Sequence, residues 1–305
     1  MPSEKRKREK YNTEEQHVKS DESTEHGILQ KFKDAVLAGR VETVRELILS
    51  KNDEIDVNKA LEDNIATGLY ETAKRGYIEI VQLLVREGQA DVNKARTDCG
   101  ATPLFIAAQH GHLEIVQFLV REGQADVNKA TTGRGATPLY IAAEHGHLEI
   151  VQFLVREGQA DVNKAKTNHG TTPLLVALLE NHTTIVRCLV ERARADVNKS
   201  RFGVRVEQKI PLAVAVMLGN VEAMKILLNR GAHMYDVELQ YFSTSFVKTM
   251  VRGNLSYAWQ TVVGERRSQD VRAASCLLPE LVDIVVQYAR PESWEEVASH
   301  VVVEE

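Results

Sequence analysis

Residues 96–130 read RTDCGATPLFIAAQHGHLEIVQFLVREGQADVNKA, and residues 131–165 read TTGRGATPLYIAAEHGHLEIVQFLVREGQADVNKA. The two segments differ at 5 of 35 positions. The same template recurs at 61–95, at 166–200 and, with three extra residues, at 201–235, and a weaker copy precedes them at 28–60. A period of this length over six copies predicts a solenoid or similar array in place of one compact globule.

Each unit reads as two helices. Thr102 is a natural N-cap, and Pro103 falls at the first helical position, where its missing N–H costs nothing. Leu104, Ala107 and Ala108 give a short helix with one apolar stripe, closed near Gly111 by a residue that tolerates positive φ. Leu113, Ile115, Val116, Leu119 and Val120 recur at three- and four-residue spacing, predicting a second helix that ends at Gly123. Glu114, Gln117 and Arg121 fall on its polar side and are expected to face water. One such pair cannot bury its apolar sides alone, so stability must come from stacked neighbours.

Composition fits a thin repeated core. Of the 305 residues 43% are apolar and only 6% aromatic. The formal charge of −5 argues against a wholesale nucleic-acid binder and against electrostatic membrane attachment. The longest apolar run, Ile210 to Leu218, is too short to span a bilayer. The start, MPSEKRKREKYNTEEQ, carries charges where a signal peptide needs an apolar run. Cys99, Cys188 and Cys276 form no disulfide framework, which suits a reducing interior. A cytoplasmic protein is expected, monomeric, with no cofactor and no metal.

The repeat resembles the ankyrin repeat, whose T-P-L-H-x-A signature stands here as TPLFIAA, TPLYIAA and TPLLVAL; the GH dipeptide and the terminal ADVN match too. The resemblance covers 28–235. It implies an all-α solenoid of helix-turn-helix units with protruding β-turn loops (28–60, 61–95, 96–130, 131–165, 166–200, 201–235), a non-enzymatic scaffold with a protein partner. The unit is 35 residues where the family has 33, so longer loops are expected. Phe105, Tyr140 and Leu175 replace the signature histidine. Gly68 stands for the proline in one copy and Ile210 for the N-cap threonine in another, and these two copies are expected to be less stable alone.

The near-identical copies differ at Arg96/Thr131, Asp98/Gly133, Cys99/Arg134, Phe105/Tyr140 and Gln109/Glu144. The first three lie in or beside the loop tip and the last lies late on the first helix. In the family those positions line the concave side that contacts partners, whereas the second helix faces outward. Here the second helix, HLEIVQFLVREG, is unchanged between the copies. The resemblance therefore implies a groove lined first by Asp63, Asn64, Lys74 and Arg75, then by Asp98, Cys99, Gln109 and His110. Arg134, Glu144 and His145 follow, then Asn168, His169, Glu180 and Asn181, and finally Met217 and Leu218. The row runs from cationic through mixed and acidic to apolar.

The spacing His110-Gly111-His112, repeated at 145–147, does not place two imidazoles on one helix face, as a metal site on a helix requires. His112 and His147 are expected to hydrogen-bond neighbouring loop backbone within the stack. Asn93, Asn128, Asn163 and Asn198 each follow Asp-Val and suit hydrogen-bonding of loop backbone; in the family this position can also be hydroxylated. The chain carries no G-x-S-x-G, H-E-x-x-H, phosphate-cradling glycine loop or C-x-x-C. No catalytic residue is assigned.

Residues 1–27 are polar and read as a disordered tail. Its cluster Lys5-Arg6-Lys7-Arg8 resembles a monopartite nuclear localisation signal. Residues 236–305 read as a helical end that covers the last repeat. Within it 277–303 resembles the opening of an F-box, of the truncated PRANC-like kind, with Leu281, Val282, Val285 and Tyr288 on the pattern. Two alternatives to a plain scaffold follow: a substrate adaptor docking a ubiquitin-ligase core through those four residues, or a host-targeted effector.

Overall fold

The structure is a computed structural model and describes residues 27–50, 55–62, 65–199 and 210–232. These divide into two compact units after Ala160. The first contains α1 (27–37), α2 (Val41–Leu49), β1 (Ala60–Glu62), β2 (Ala66–Thr67), α3 (Gly68–Arg75), α4 (Ile78–Arg86), α5 (Pro103–His110), α6 (Leu113–Arg121), α7 (Pro138–Glu144) and α8 (Leu148–Arg156). The second contains α9 (Pro173–Leu179), α10 (Thr183–Arg187) with a π-helical turn at Cys188–Arg192, α11 (Pro211–Met217) and α12 (Val221–Leu228). The fold is all-α apart from the short antiparallel pair β1–β2, which aligns Ala60 with Thr67 and Glu62 with Ala66.

The inner, first helix of four repeats (α3, α5, α7 and α9) starts on a threonine that caps it, whereas α11 follows Ile210. The Thr102 hydroxyl accepts the Phe105 N–H at 3.2 Å, and Thr137 and Thr172 do the same for Tyr140 and Leu175 at 3.2 Å each. Thr67 caps α3 through Tyr70 at 3.3 Å even though Gly68 stands where the others have proline. The cap satisfies one of the four unpaired amides of the first turn, which is worth about 1 kcal/mol.

In the first unit α3, α5 and α7 pack side by side, and so do α4, α6 and α8. The interior is a column of the same residues: Leu104, Ala107 and Ala108 repeat as Leu139, Ala142 and Ala143, and Val116 and Leu119 repeat as Val151 and Leu154, all fully buried. The alanines keep the helices close enough for a core only one side chain thick. In the second unit Leu174, Ala177 and Leu189 take the same roles against Ala213, Val214 and Leu227.

The second helix does not end at Gly123. It ends at Arg121, and the left-handed residue is Gln124, with φ 53°; Gln89 and Gln159 match it at 50° and 52°. Glycine is needed for space instead. A Cβ on Gly123 would lie 2.9 Å from the Leu119 carbonyl oxygen and 3.2 Å from Val92 Cγ2. Gly158 is as tight, at 2.9 Å from the Leu154 oxygen. The equivalent residue of the fifth copy is Ala193, where the helix end is a π turn; its N–H bonds the Cys188 carbonyl at 3.2 Å, as the Gly123 N–H bonds the Phe118 carbonyl at 3.1 Å.

Candidate protein-binding site

Two backbone ladders tie consecutive repeats of the first unit together. The His112 Nε2 donates to the Lys74 carbonyl oxygen at 3.0 Å, and His147 Nε2 to the Gln109 carbonyl oxygen at 3.0 Å. The two histidines do bond backbone of the neighbouring repeat, but at the last turn of its inner helix and not in a loop as expected. Their neighbours bond locally: His110 Nδ1 donates to the Ile106 carbonyl and His145 Nδ1 to the Ile141 carbonyl, both at 3.1 Å. His110 and His112 stack with centroids 6.2 Å apart and planes 13° from parallel. Facing rings do not converge on a common ion.

The asparagines form the second ladder. The Asn58 side-chain oxygen accepts the Asp91 N–H at 2.7 Å and that of Asn93 accepts the Asp126 N–H at 2.8 Å. In the second unit Asn163 accepts the Asp196 N–H at 2.9 Å, and Asn198 donates to the Gly231 carbonyl at 3.1 Å.

Arg121 does more than face water. Its Nε and Nη2 donate to Glu157 at 3.0 and 2.7 Å, and its guanidinium lies 5.1 Å from the Phe153 ring centroid. Arg86 repeats this on Glu122 and Phe118, at 2.6 Å and 5.2 Å. The sameness of the outer helix between copies therefore has a structural cause at Arg121, since each copy must grip the next.

Two of the five differences between the twin copies prove to be one feature. Arg96 Nε and Nη2 donate to Asp98 Oδ1 and Oδ2 at 3.0 and 2.6 Å, and the Arg96 guanidinium covers the buried Tyr70 ring at 5.3 Å. In the next copy Thr131 and Gly133 replace both partners together, and the Thr131 hydroxyl accepts the Ala136 N–H at 3.1 Å. The Arg96 hydrogen bonds hold the Asp98 carboxyl well below the usual carboxylate range, with a smaller contribution from Cys99. Burial pushes the Cys99 thiol up, which lowers its reactivity. Burial likewise raises the Tyr70 phenol, against the pull of Arg96.

The inner helices of the first unit end in an exposed or half-buried pair at one repeated place: Lys74 and Arg75 on α3, Gln109 and His110 on α5, Glu144 and His145 at the end of α7. Arg134 is exposed at its loop tip, and Asp98 and Cys99 sit at theirs. In the second unit Asn168, His169 and Glu180 are exposed. Asn181 occupies the left-handed place that Gly111 and Gly146 hold in the twin copies, at φ 58°, and its side-chain oxygen accepts from Asn220 Nδ2 at 2.7 Å. The residue matching Gln109 and Glu144 is therefore half-buried Leu179, one position earlier, which sequence reading missed. Met217 ends α11, and Leu218 follows it with 42% of its surface exposed. Asp63, Asn64, the basic cluster Lys5–Arg8 and the F-box-like residues Leu281, Val282, Val285 and Tyr288 lie outside the described residues.

A family model described as ankyrin repeats matches the chain in three copies, over residues 32–131, 123–201 and 166–240. The chain belongs to the ankyrin-repeat family. No curated protein matches it. Ankyrin repeats are in general non-enzymatic protein–protein interaction modules, and four of the five differences between the twin copies of this ankyrin array lie at the inner-helix ends and loop tips described above. Among the described residues no helix is long and apolar enough to cross a membrane.

Proposed function

We propose that this ankyrin array is a protein-interaction scaffold whose first unit binds its partner through Lys74, Arg75, Gln109, His110, Glu144 and His145, with Arg134 at the loop tip beside them. The observation that carries this reading is the contrast between two sides of one repeat. Helices α6 and α8 have the same sequence, LEIVQFLVR, while the paired inner helices α5 and α7 change from Gln109 to Glu144 at their half-buried ends, besides the buried pair Phe105 and Tyr140. The backbone under those ends is tied by His112 and His147, so the row is held before a partner arrives, and little ordering entropy is lost on binding. A few well-buried contacts would then carry the affinity.

Affinity capture from cell extract followed by mass spectrometry tests this. A specific partner should be retained by wild type and by a variant exchanging Glu114 and Gln117. It should be lost when Gln109, His110, Glu144 and His145 are exchanged. The reverse pattern overturns the assignment. The adaptor reading rests on the pattern Leu281, Val282, Val285 and Tyr288 alone. Deleting 271–305 should abolish association with a ubiquitin-ligase core, with the repeats still folded, if those residues dock it; a loss of thermal stability alone assigns them to a cap.

A further inference from the structure

We infer that the inner-helix row of the first unit reads the polarity of an extended protein segment, one with an acidic side chain opposite Lys74 and a basic one opposite Glu144, about six residues apart. The inference rests on the protein-binding reading above and adds direction and spacing to it.

One repeated place carries Lys74, then Gln109, then Glu144, so the charge there passes from positive through neutral to negative over three repeats. The backbone is the same each time, closed by a left-handed glycine at Gly76, Gly111 and Gly146. What changes is the side chain and the floor beneath it. Ile106 and Ile141 are apolar and buried, whereas the matching residue of α3 is Glu71, also buried, with 7% of its surface exposed. A buried carboxylate needs a compensating charge. Arg75 supplies it, its Nη2 lying 3.7 Å from Glu71. Arg75 is therefore partly committed to the floor, and Lys74, exposed and without an ion pair among the described residues, is the charge offered outward.

Packed helices lie roughly 8–10 Å apart. Lys74 and Glu144 are two such steps apart, about 20 Å, which an extended chain crosses in about six residues at roughly 3.3 Å each. Charges that far apart at the protein surface are largely screened from each other at physiological salt. Each end thus reads its own part of the segment. A segment docked backwards would set acid against Glu144 and base against Lys74, and that mismatch selects one direction more than it adds affinity.

The test is selection of a displayed library of random 12-residue peptides on the purified full chain. Wild type should enrich peptides with Asp or Glu five to seven residues from Lys or Arg, in one order. The double variant Lys74→Glu, Glu144→Lys should enrich the opposite order and bind wild-type-selected peptides at least tenfold more weakly. Arg75 is left in place because it holds Glu71, and circular dichroism checks that the variant stays folded. Peptides that are lost on exchange of Gln109 and His110 yet show no acid–base spacing overturn the polarity and leave the protein-binding row standing. Peptides indifferent to every inner-row substitution, or no peptide enriched at all, overturn both.

Discussion

His147 reaches back one repeat to Gln109, donating from Nε2 to its carbonyl oxygen at 3.0 Å. In doing so its ring covers Gly111, where a Cβ would come within 2.7 Å of His147 Cε1. His112 stands in the same relation to Lys74 and Gly76. One imidazole therefore holds the end of the preceding inner helix and also requires a bare backbone beneath it.

This coupling predicts non-additive mutations. His147→Ala should lower unfolding free energy by about 1 kcal/mol, the worth of one hydrogen bond. Gly111→Ala should cost more, because it combines about 1–2 kcal/mol of left-handed strain with the collision against the ring. The double variant should cost clearly less than the sum, since removing the ring removes the collision. Urea unfolding of the four proteins measures the cycle, and strict additivity would refute the coupling.

The sequence made the repeat, its two helices, its threonine caps and the bonding histidines legible because each is a local rule written several times over. Arg121 was less so. Its partner Glu157 is 36 positions away, and a polar side chain on an outward helix face reads as solvated unless the next repeat is placed beside it. The same blindness split Arg96 and Asp98 into two independent differences when they form one ion pair. At Asn181 a change of residue type at the left-handed cap hid the register, so Leu179 was passed over. The candidate row itself was readable only as a contrast between copies, because exposed side chains carry no periodicity.

Arg121→Gln should reduce stability by about 1 kcal/mol at low ionic strength, combining an exposed ion pair with a cation–aromatic contact. The ionic share should shrink as salt is raised, while the loss of packing on Phe153 should not. Partner binding should stay at the wild-type level. Thermal melts at low and high salt decide this, and a variant as stable as wild type in both would show that the Glu157 pair contributes nothing.

Asp98 gives a pH-dependent prediction with a definite sign. Its carboxyl is held low in the folded chain by Arg96, so the pair stabilises the fold above the unfolded carboxyl value of about 4 and fades as pH falls from there toward the folded value. Asp98→Asn should therefore melt below wild type at neutral pH, and the gap should close on acidification below about pH 4. Melting temperature against pH for the two proteins is the measurement. A gap that stays constant into acid would assign the effect to something other than the Arg96 ion pair.

Gly123, two residues past the end of α6, and Gly133, beside Arg134 at the loop tip, should respond oppositely to the same methyl group. Gly133 has nothing within 4 Å of a built Cβ and no positive φ, so Gly133→Ala should be neutral or slightly stabilising, by up to about 1 kcal/mol, through the unfolded state. Gly123 faces the Leu119 carbonyl at 2.9 Å and Val92 at 3.2 Å, so Gly123→Ala should destabilise by about 1–3 kcal/mol, as overpacking does. At the equivalent Ala193, which already carries that methyl, the last turn of the helix is π-helical. Amide hydrogen exchange on Gly123→Ala should accordingly show faster exchange confined to the end of α6. Protection unchanged there, with stability equal to wild type, would mean that the space at Gly123 is not what holds this position to glycine.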